Sequence, residues 1–432
     1  MTGVTLDSFT SRYAARTQGM TASEIRALFA VASRPEVVSL AGGMPYTAAL
    51  PLDAVGKLLG DLVATRGAQA LQYGSGQGDP GLRELICEVM ALEGISAHAD
   101  DVVVTVGSQQ ALDLVTRVFI DPGDVVIAEA PSYVGALGTF AAYQAEVVHV
   151  AMDEAGLVPA ALEEAITAVA ASGRRAKFLY TVPNFHNPAG VSLGVDRRAE
   201  VLRIARSAGL LVLEDNPYGL LGFDGPPVPA IRAAADADDV LYLGSFSKTF
   251  APGLRVGWVL APPGVRDKLV LAAEAAVLCP PTFNQLAVAE YLRTQDWQGQ
   301  IAVFRQLYRE RRDALLRGLT QLFPAGMSWT HPTGGFYVWV TLPAGLDAKA
   351  MLPRAIGARV AYVPGSAFYA EPALGRGFLR LSYCYPEPER ILEGVRRLAG
   401  VLAEELELRT TFGPTGVHLD PVESQAPAPD LA

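Results

Sequence analysis

Compact β-branched runs alternate with longer periodic stretches through the middle of the chain. The runs are Val102–Val106, Val125–Ala128, Glu146–Val150, Lys177–Val182, Leu210–Glu214, Val240–Gly244 and Val256–Ala261. Between most of them lie Gln109–Phe119, Tyr133–Tyr143, Val158–Ala171 and Val195–Ala208, each long enough for a helix. Short apolar runs bounded by turn residues mark strands buried on both faces. Their alternation with helices predicts an α/β fold, with a mostly parallel seven-stranded sheet covered by helices.

The pattern then changes. Gln300–Phe323 reads as one helix with Phe304, Leu307, Tyr308, Leu315, Leu319 and Leu322 on one face. Gly335–Leu342 and Phe378–Tyr383 alternate like strands, and Ile391, Val395, Leu398, Leu402 and Leu406 step like a closing amphipathic helix. This predicts a smaller α+β domain formed by the C-terminal part and the N-terminal segment. The expected division is an N-terminal arm contributing to the small domain over 1–49, a large ligand-binding domain over 50–295, the small C-terminal domain over 296–409, and a Pro-rich, disordered tail over 410–432.

Composition narrows the function. Half of the 432 residues are hydrophobic and 19% charged, enough for a large core without disulfides or structural metal. A net charge of −10 argues against nucleic acid as a partner. Cys87, Cys279 and Cys384 are few and scattered, which predicts a reducing compartment with no disulfide framework. The five histidines form no metal-ligand spacing, so no metal is expected. With no apolar signal-like segment and no membrane-length run, the expected location is the cytoplasm.

Two motif matches fail on context. Gly76-Gln-Gly78-Asp-Pro-Gly81 fits a dinucleotide fingerprint, but the residues leading into it lack strand character. Gly190-Val-Ser192-Leu-Gly194 fits a nucleophile elbow, but Pro183–Pro188 separates it from the preceding strand, so a loop entering a helix at Val195 is expected.

The strand ends hold more. Ligands of open α/β sheets bind beyond the carboxyl ends of the strands. Those ends carry Gly107-Ser108-Gln109, Asn184 to Asn187, Asp215 to Tyr218, and Ser245-Phe-Ser247-Lys248, with Arg255 close behind. A helix opening at Ser108 and Gln109 offers free N–H groups to a phosphate, and Ser245, Ser247 and Arg255 complete a cup. Lys248 is a Schiff-base candidate, and Asp215 is placed to pair with a protonated ring nitrogen. A phosphate cup, an amine and a carboxylate together suit pyridoxal 5′-phosphate.

At this point the chain resembles a known family. Ser245-Phe-Ser-Lys248-Thr-Phe-Ala-Pro-Gly-Leu-Arg255-Val-Gly-Trp is similar to the lysine motif of the class I/II aminotransferases, which are fold type I pyridoxal-phosphate enzymes. Gly107-Ser-Gln-Gln-Ala-Leu-Asp, Ala130-Pro-Ser-Tyr133, Asn187-Pro-Ala-Gly190 and Glu214-Asp-Asn-Pro-Tyr218 resemble the family's other motifs in order, from about Ser23 to Ala403. Ala22-Ser-Glu-Ile-Arg26 and Ser39-Leu-Ala-Gly42-Gly43-Met-Pro resemble the 2-aminoadipate, aromatic and branched-chain subgroup.

The resemblance implies roles. Lys248 would bind the cofactor and shuttle the reaction's proton, and Asp215 would keep the ring nitrogen protonated. Asn187 and Tyr218 would bond the phenolic oxygen, Tyr133 would stack on the ring, and Ser108, Gln109, Ser245, Ser247 and Arg255 would bind the phosphate. Tyr73 would reach the partner's phosphate in a homodimer. Arg380 would grip the substrate α-carboxylate, with Gly43 and Asn187 beside it, and Arg26 would contact acidic side chains. A glycine-rich loop at Tyr73–Pro80 and the pair Phe185-His186 depart from the subgroup, and local hydrogen bonding is expected for His186.

The implied function is transfer of an amino group from an L-amino acid to a 2-oxo acid, 2-oxoglutarate being the expected acceptor, by a ping-pong cycle. A lyase reaction on the same cofactor is the alternative. The other is a ligand-sensing module of the kind fused behind a winged helix, for which the chain ahead of Ser23 is too short.

Overall fold

The computed structural model describes residues 9–19, 34–234 and 236–413. In chain order its strands are β1 (Val38–Ser39), β2 (Val102–Thr105), β3 (Val125–Ala130), β4 (Glu146–Asp153), β5 (Gly156–Leu157), β6 (Ala176–Thr181) and β7 (Leu211–Asp215). They continue as β8 (Val240–Ser245), β9 (Gly257–Leu260), β10 (Ser328–Trp329), β11 (Tyr337–Thr341), β12 (Val360–Ala361), β13 (Val363–Pro364) and β14 (Phe378–Ser382). The largest sheet has eight strands in the order β2-β9-β8-β7-β6-β3-β4-β5. Strands β4, β3, β6, β7 and β8 pair in parallel, whereas β9 runs antiparallel to both of its neighbours, β2 and β8. The seven predicted strands are all present. The eighth, β5, is a two-residue antiparallel edge against β4, too short to leave a pattern.

The β-branched runs follow from burial on both faces. In β3, Val126 and Ala128 join one core cluster and Ile127 another; in β7, Leu213 and Val212 divide the same way. Because β9 is reversed, β2 and β8 point the same way. The carboxyl ends of β2, β3, β6, β7 and β8 and the amino end of β9 therefore share one rim.

The C-terminal part is built on the helix Trp297–Leu322, which starts ahead of the expected Gln300 because Asp296 Oδ1 accepts from Gly299 N at 2.9 Å. It packs against the helix Pro388–Phe412. A side chain at Gly318 would press Leu392 and Val395 at 3.2 Å, so glycine sets their close approach. That last helix runs past Leu406, the end of the predicted stripe, to Phe412. Residues 414–432, most of the expected tail, lie outside the described residues. A four-stranded antiparallel sheet, β10-β11-β14-β13, fills this part, and the parallel pair β1-β12 draws the N-terminal segment onto it.

Both rejected motifs are structural. The helix Leu52–Ala70, not a strand, precedes Gly76, and Asp79 caps the helix Pro80–Ala91 by accepting from Leu82 N at 2.9 Å. Ser192 Oγ accepts from Phe185 N at 2.9 Å in the loop before the helix Val195–Ser207. Among the described residues, no helix is long and apolar enough to cross a membrane.

Candidate active site

The rim of the large sheet encloses a cleft of about 340 Å³. Ten of the residues singled out from sequence line it: Gly43, Ser108, Tyr133, Asn187, Asp215, Tyr218, Ser245, Ser247, Lys248 and Arg380.

One end is a cup of donors. The helix Ser108–Phe119 opens after Gly107, whose φ of 74° suits glycine, so the N–H groups of Ser108 and Gln109 end the helix dipole there. Ser245 Oγ lies 2.9 Å from Ser247 Oγ and accepts from Ser247 N at 3.1 Å. Arg255 Nη1 reaches Ser247 Oγ at 3.4 Å, and its guanidinium occupies the space that a side chain at Gly107 would need. Gly257 is equally constrained, since a Cβ there would come within 2.7 Å of Gly107 and Ser108 backbone. The Gln109 side chain takes no part in the cup. Its Nε2 donates to Thr139 Oγ1 at 2.8 Å and its Oε1 lies 3.4 Å from Tyr133 OH, so it holds the tyrosine instead.

Asp215 is the last residue of β7 and is 3% exposed. Its Oδ2 accepts from Tyr180 OH at 2.8 Å, while Oδ1 is buried without a partner among the described residues. Burial pushes the carboxyl up to about 7, against the lowering effect of the Tyr180 bond. Lys248 follows β8, and its Nζ donates to Gly43 O at 2.9 Å, 5.6 Å from the Phe336 ring centroid. Burial lowers its pKa to about 8, with Arg380 and Arg255 acting in the same direction. Burial also holds the Tyr218 hydroxyl well above its ordinary range and that of Tyr133 at about 12.

Arg380 lines the same cleft, 2% exposed on β14. Nη1 donates to Asn187 Oδ1 at 2.7 Å and Nη2 to Ala41 O at 2.6 Å, while Nε is buried without a partner among the described residues. The guanidinium sits 4.2 Å from the Tyr337 ring centroid and 5.0 Å from that of Phe368. A side chain at Gly43 would collide with Tyr337 OH, which fixes how closely the segment before Met44 can approach.

Met44, Val134, Gly135, Val182, Pro217 and Tyr337 also line the cleft and were not singled out from sequence. Tyr337 had a signal in the alternation of Gly335–Leu342, but β11 is buried almost throughout, so its pattern does not say which face opens to the cleft. His186 does not line the cleft. It is fully buried, with Nδ1 accepting from Ala189 N at 3.2 Å and Nε2 3.2 Å from Glu129 Oε2. Tyr73 is 77% exposed and lies outside the cleft, beside Val277 and Thr282. Arg26 lies outside the described residues.

Residues 35–398 match the family described as aminotransferase class I and II. The chain belongs to that family. This aminotransferase is 40% identical over 404 residues to aromatic-amino-acid aminotransferase 1 of Thermococcus litoralis, covering 93% of this chain and 96% of the relative. It is 38% identical to the 2-aminoadipate transaminase of Thermus thermophilus, covering 90% of this chain and 95% of the relative. A crystal structure of Pyrococcus horikoshii kynurenine aminotransferase in complex with PMP superposes with a TM-score of 0.88 at 39% identity, covering 93% of this chain and 99% of that one.

The cofactor of such enzymes is pyridoxal 5′-phosphate, and the residues present fit it. The unpartnered Asp215 Oδ1 suits a ring N–H, the cup at Ser108 and Ser245 suits a phosphate, and Lys248 lines the same cleft. A pH dependence follows, because an ammonium is not a nucleophile. Covalent capture of pyridoxal phosphate by the cofactor-free aminotransferase is expected to speed up as pH rises through about 8 and to level off above it. Stopped-flow absorbance checks this; a rate still climbing toward the ordinary lysine value of about 10.4 would show that burial does not activate Lys248.

Proposed function

We propose that this aminotransferase moves the amino group of an L-amino acid with an aromatic, branched-chain or 2-aminoadipate-like side chain to 2-oxoglutarate, in a ping-pong cycle. The observation that carries the reading is the pairing, in one cleft, of a lysine whose pKa is lowered to about 8 with a buried carboxylate that keeps one oxygen free.

When bound, pyridoxal phosphate supplies an aldehyde that condenses with amines and a protonated ring that accepts electron density. The chain's residues do the rest. The amides of Ser108 and Gln109, with Ser245, Ser247 and Arg255, anchor the phosphate. Asp215 holds a proton on the ring nitrogen, with Tyr180 fixing the carboxylate's other oxygen. Asn187 and Tyr218 bond the phenolic oxygen, and Tyr133, steadied by Gln109, covers the ring face. Lys248 would anchor the cofactor and, once released as a free amine, would take the proton from the donor's α-carbon and hand it to the carbon that had carried the cofactor's aldehyde, so that hydrolysis leaves the amine on the cofactor. Arg380 takes the α-carboxylate, with Asn187 and the segment at Gly43 fixing its direction. Arg26 would meet an acidic side chain of the donor or acceptor.

The same reading makes the enzyme a cytoplasmic homodimer in which Tyr73 completes the partner's phosphate site. In support, Leu71 and Tyr73 are 76% and 77% exposed, and they share one shallow depression with Val277 and Phe283.

The test is the visible spectrum of the cofactor-loaded protein with single L-amino acids. A yellow protein that bleaches with glutamate and one further donor supports transamination and identifies that donor. A yellow protein that no amino acid bleaches removes the proposal. The carboxylate grip has its own test in Arg380→Lys. An ammonium cannot reach Asn187, Ala41 and a carboxylate together, so donor KM is expected to rise about 10- to 100-fold with a smaller fall in kcat. Steady-state kinetics with two donors of different side chain checks this, since loss of an α-carboxylate contact affects both alike.

A further inference from the structure

Behind the strand ends, outside the cleft, five buried polar side chains form one hydrogen-bonded series. Arg198 Nη2 donates to Asn184 Oδ1 at 2.5 Å, and Asn184 Nδ2 donates to Asn216 Oδ1 at 2.9 Å. Asn216 Nδ2 donates to Glu93 Oε1 at 2.6 Å, and Tyr242 OH donates to Glu93 Oε2 at 2.6 Å. None of the five is more than 5% exposed. Glu214 also acts on Glu93 electrostatically, and its own oxygens accept the N–H groups of Ile231 and Arg232 at 2.9 Å.

A carboxylate and a guanidinium buried this far from water, joined only through two amides, are costly to fold around. The positions of the amides give the series a use. Asn216 sits between Asp215 and the pair Pro217-Tyr218, and Asn184 opens the loop that carries Asn187. Tyr242 lies on β8, the strand that leads to Ser245 and Lys248. Glu93 also supports the turn sterically, because its Oε1 fills the space that a side chain at Gly219 would take. A shift of Glu93 therefore moves Asn216, and with it the backbone between Asp215 and Tyr218.

We infer that Glu93 is a positioning residue for the cofactor ring, acting through Asn216 on Asp215 and Tyr218 and through Asn184 on Asn187. This rests on the proposed roles of those three residues. The alternative is a network that only stabilises the fold.

The test compares the holoenzyme with Glu93→Gln and Tyr242→Phe by three measurements. These are the dissociation constant for pyridoxal phosphate, the visible circular dichroism of the bound cofactor, which reports ring orientation, and thermal unfolding of the cofactor-free protein. Glutamine keeps the shape but accepts at only one atom. Its variant is expected to bind pyridoxal phosphate about tenfold more weakly and to lose part of the dichroic band. Tyr242→Phe, which keeps the Asn216–Glu93 bond and loses only the longer 3.4 Å bond from Asn216 Nδ2 to the hydroxyl along with the hydroxyl's own bond to Glu93, is expected to change both in the same direction by less. Lowered thermal stability with an unchanged dissociation constant and dichroic band would overturn the inference. Should Glu93→Gln fail to fold, an unchanged band in Tyr242→Phe would overturn it as well. A wild-type protein that shows no cofactor band would instead remove the reading of the cleft on which the inference rests.

Discussion

Replacing Lys248 by alanine is expected to abolish covalent attachment of the cofactor and to lower kcat/KM for every donor by about 10⁴-fold or more, which is ~5.5 kcal/mol of transition-state stabilisation. The effect is large because nothing in the cleft can substitute. The chain has five lysines, Lys57, Lys177, Lys248, Lys268 and Lys349, and only Lys248 lines the cleft. Lys57 and Lys177 are paired with Asp61 and Asp124 instead. The phosphate cup does not involve the lysine, so the variant is expected to retain non-covalent binding of pyridoxal phosphate. Borohydride reduction followed by peptide mass mapping separates the two effects. A covalent adduct at another lysine in Lys248→Ala would show that the amine has been misassigned.

Lys248 was legible because its position is a matter of order along the chain. Each buried run ends at a turn, and in a parallel sheet those turns fall on one rim. Asp215 closes β7, Ser245 closes β8, and Ser108 opens the helix after β2. A linear pattern could therefore bring them together without any knowledge of packing. Arg255 belongs there for a subtler reason: β9 is reversed, so its amino end, not its carboxyl end, reaches the rim.

Other parts of the site depend on contacts that local pattern does not encode. Tyr180 reads as one more apolar residue within a strand, yet its hydroxyl holds Asp215. Tyr337 meets Tyr218 across 119 residues of sequence, at 3.5 Å between hydroxyls. Glu93 follows a helix and resembles any charged residue near a helix end until the fold closes over it. Gln109 shows the converse. Its place at a helix opening was legible, but its side chain turns to Tyr133 and Thr139, leaving only its backbone to the cup. Conformation at single residues is similarly hidden: Arg255 adopts a φ of 52°, which its sequence neighbours do not announce.

The second large effect is expected at Asp215. Asp215→Asn should leave the fold, the phosphate cup and the covalent link in place while lowering kcat by about 10²- to 10³-fold, the scale for removing one preorganised electrostatic partner. The geometry sets the direction. Tyr180 OH donates to one carboxylate oxygen, and an amide would keep its oxygen there to accept the same bond. That places the amide's NH₂ at the position of the carboxylate oxygen that has no partner among the described residues. A donor in that position opposes a protonated ring nitrogen and favours the neutral one, so the ring loses its pull on electrons at the donor's α-carbon. The buried carboxyl is itself raised to about 7 by desolvation, so its charge depends on a cationic partner, and that partner depends on the charge in turn. Tyr180→Phe removes the bond that lowers the Asp215 pKa and is expected to act in the same direction by less. Single-turnover rates of bleaching by one donor isolate this step from cofactor binding. A rate in Asp215→Asn equal to wild type, with the visible band intact, would mean that the ring nitrogen is not protonated by this carboxylate.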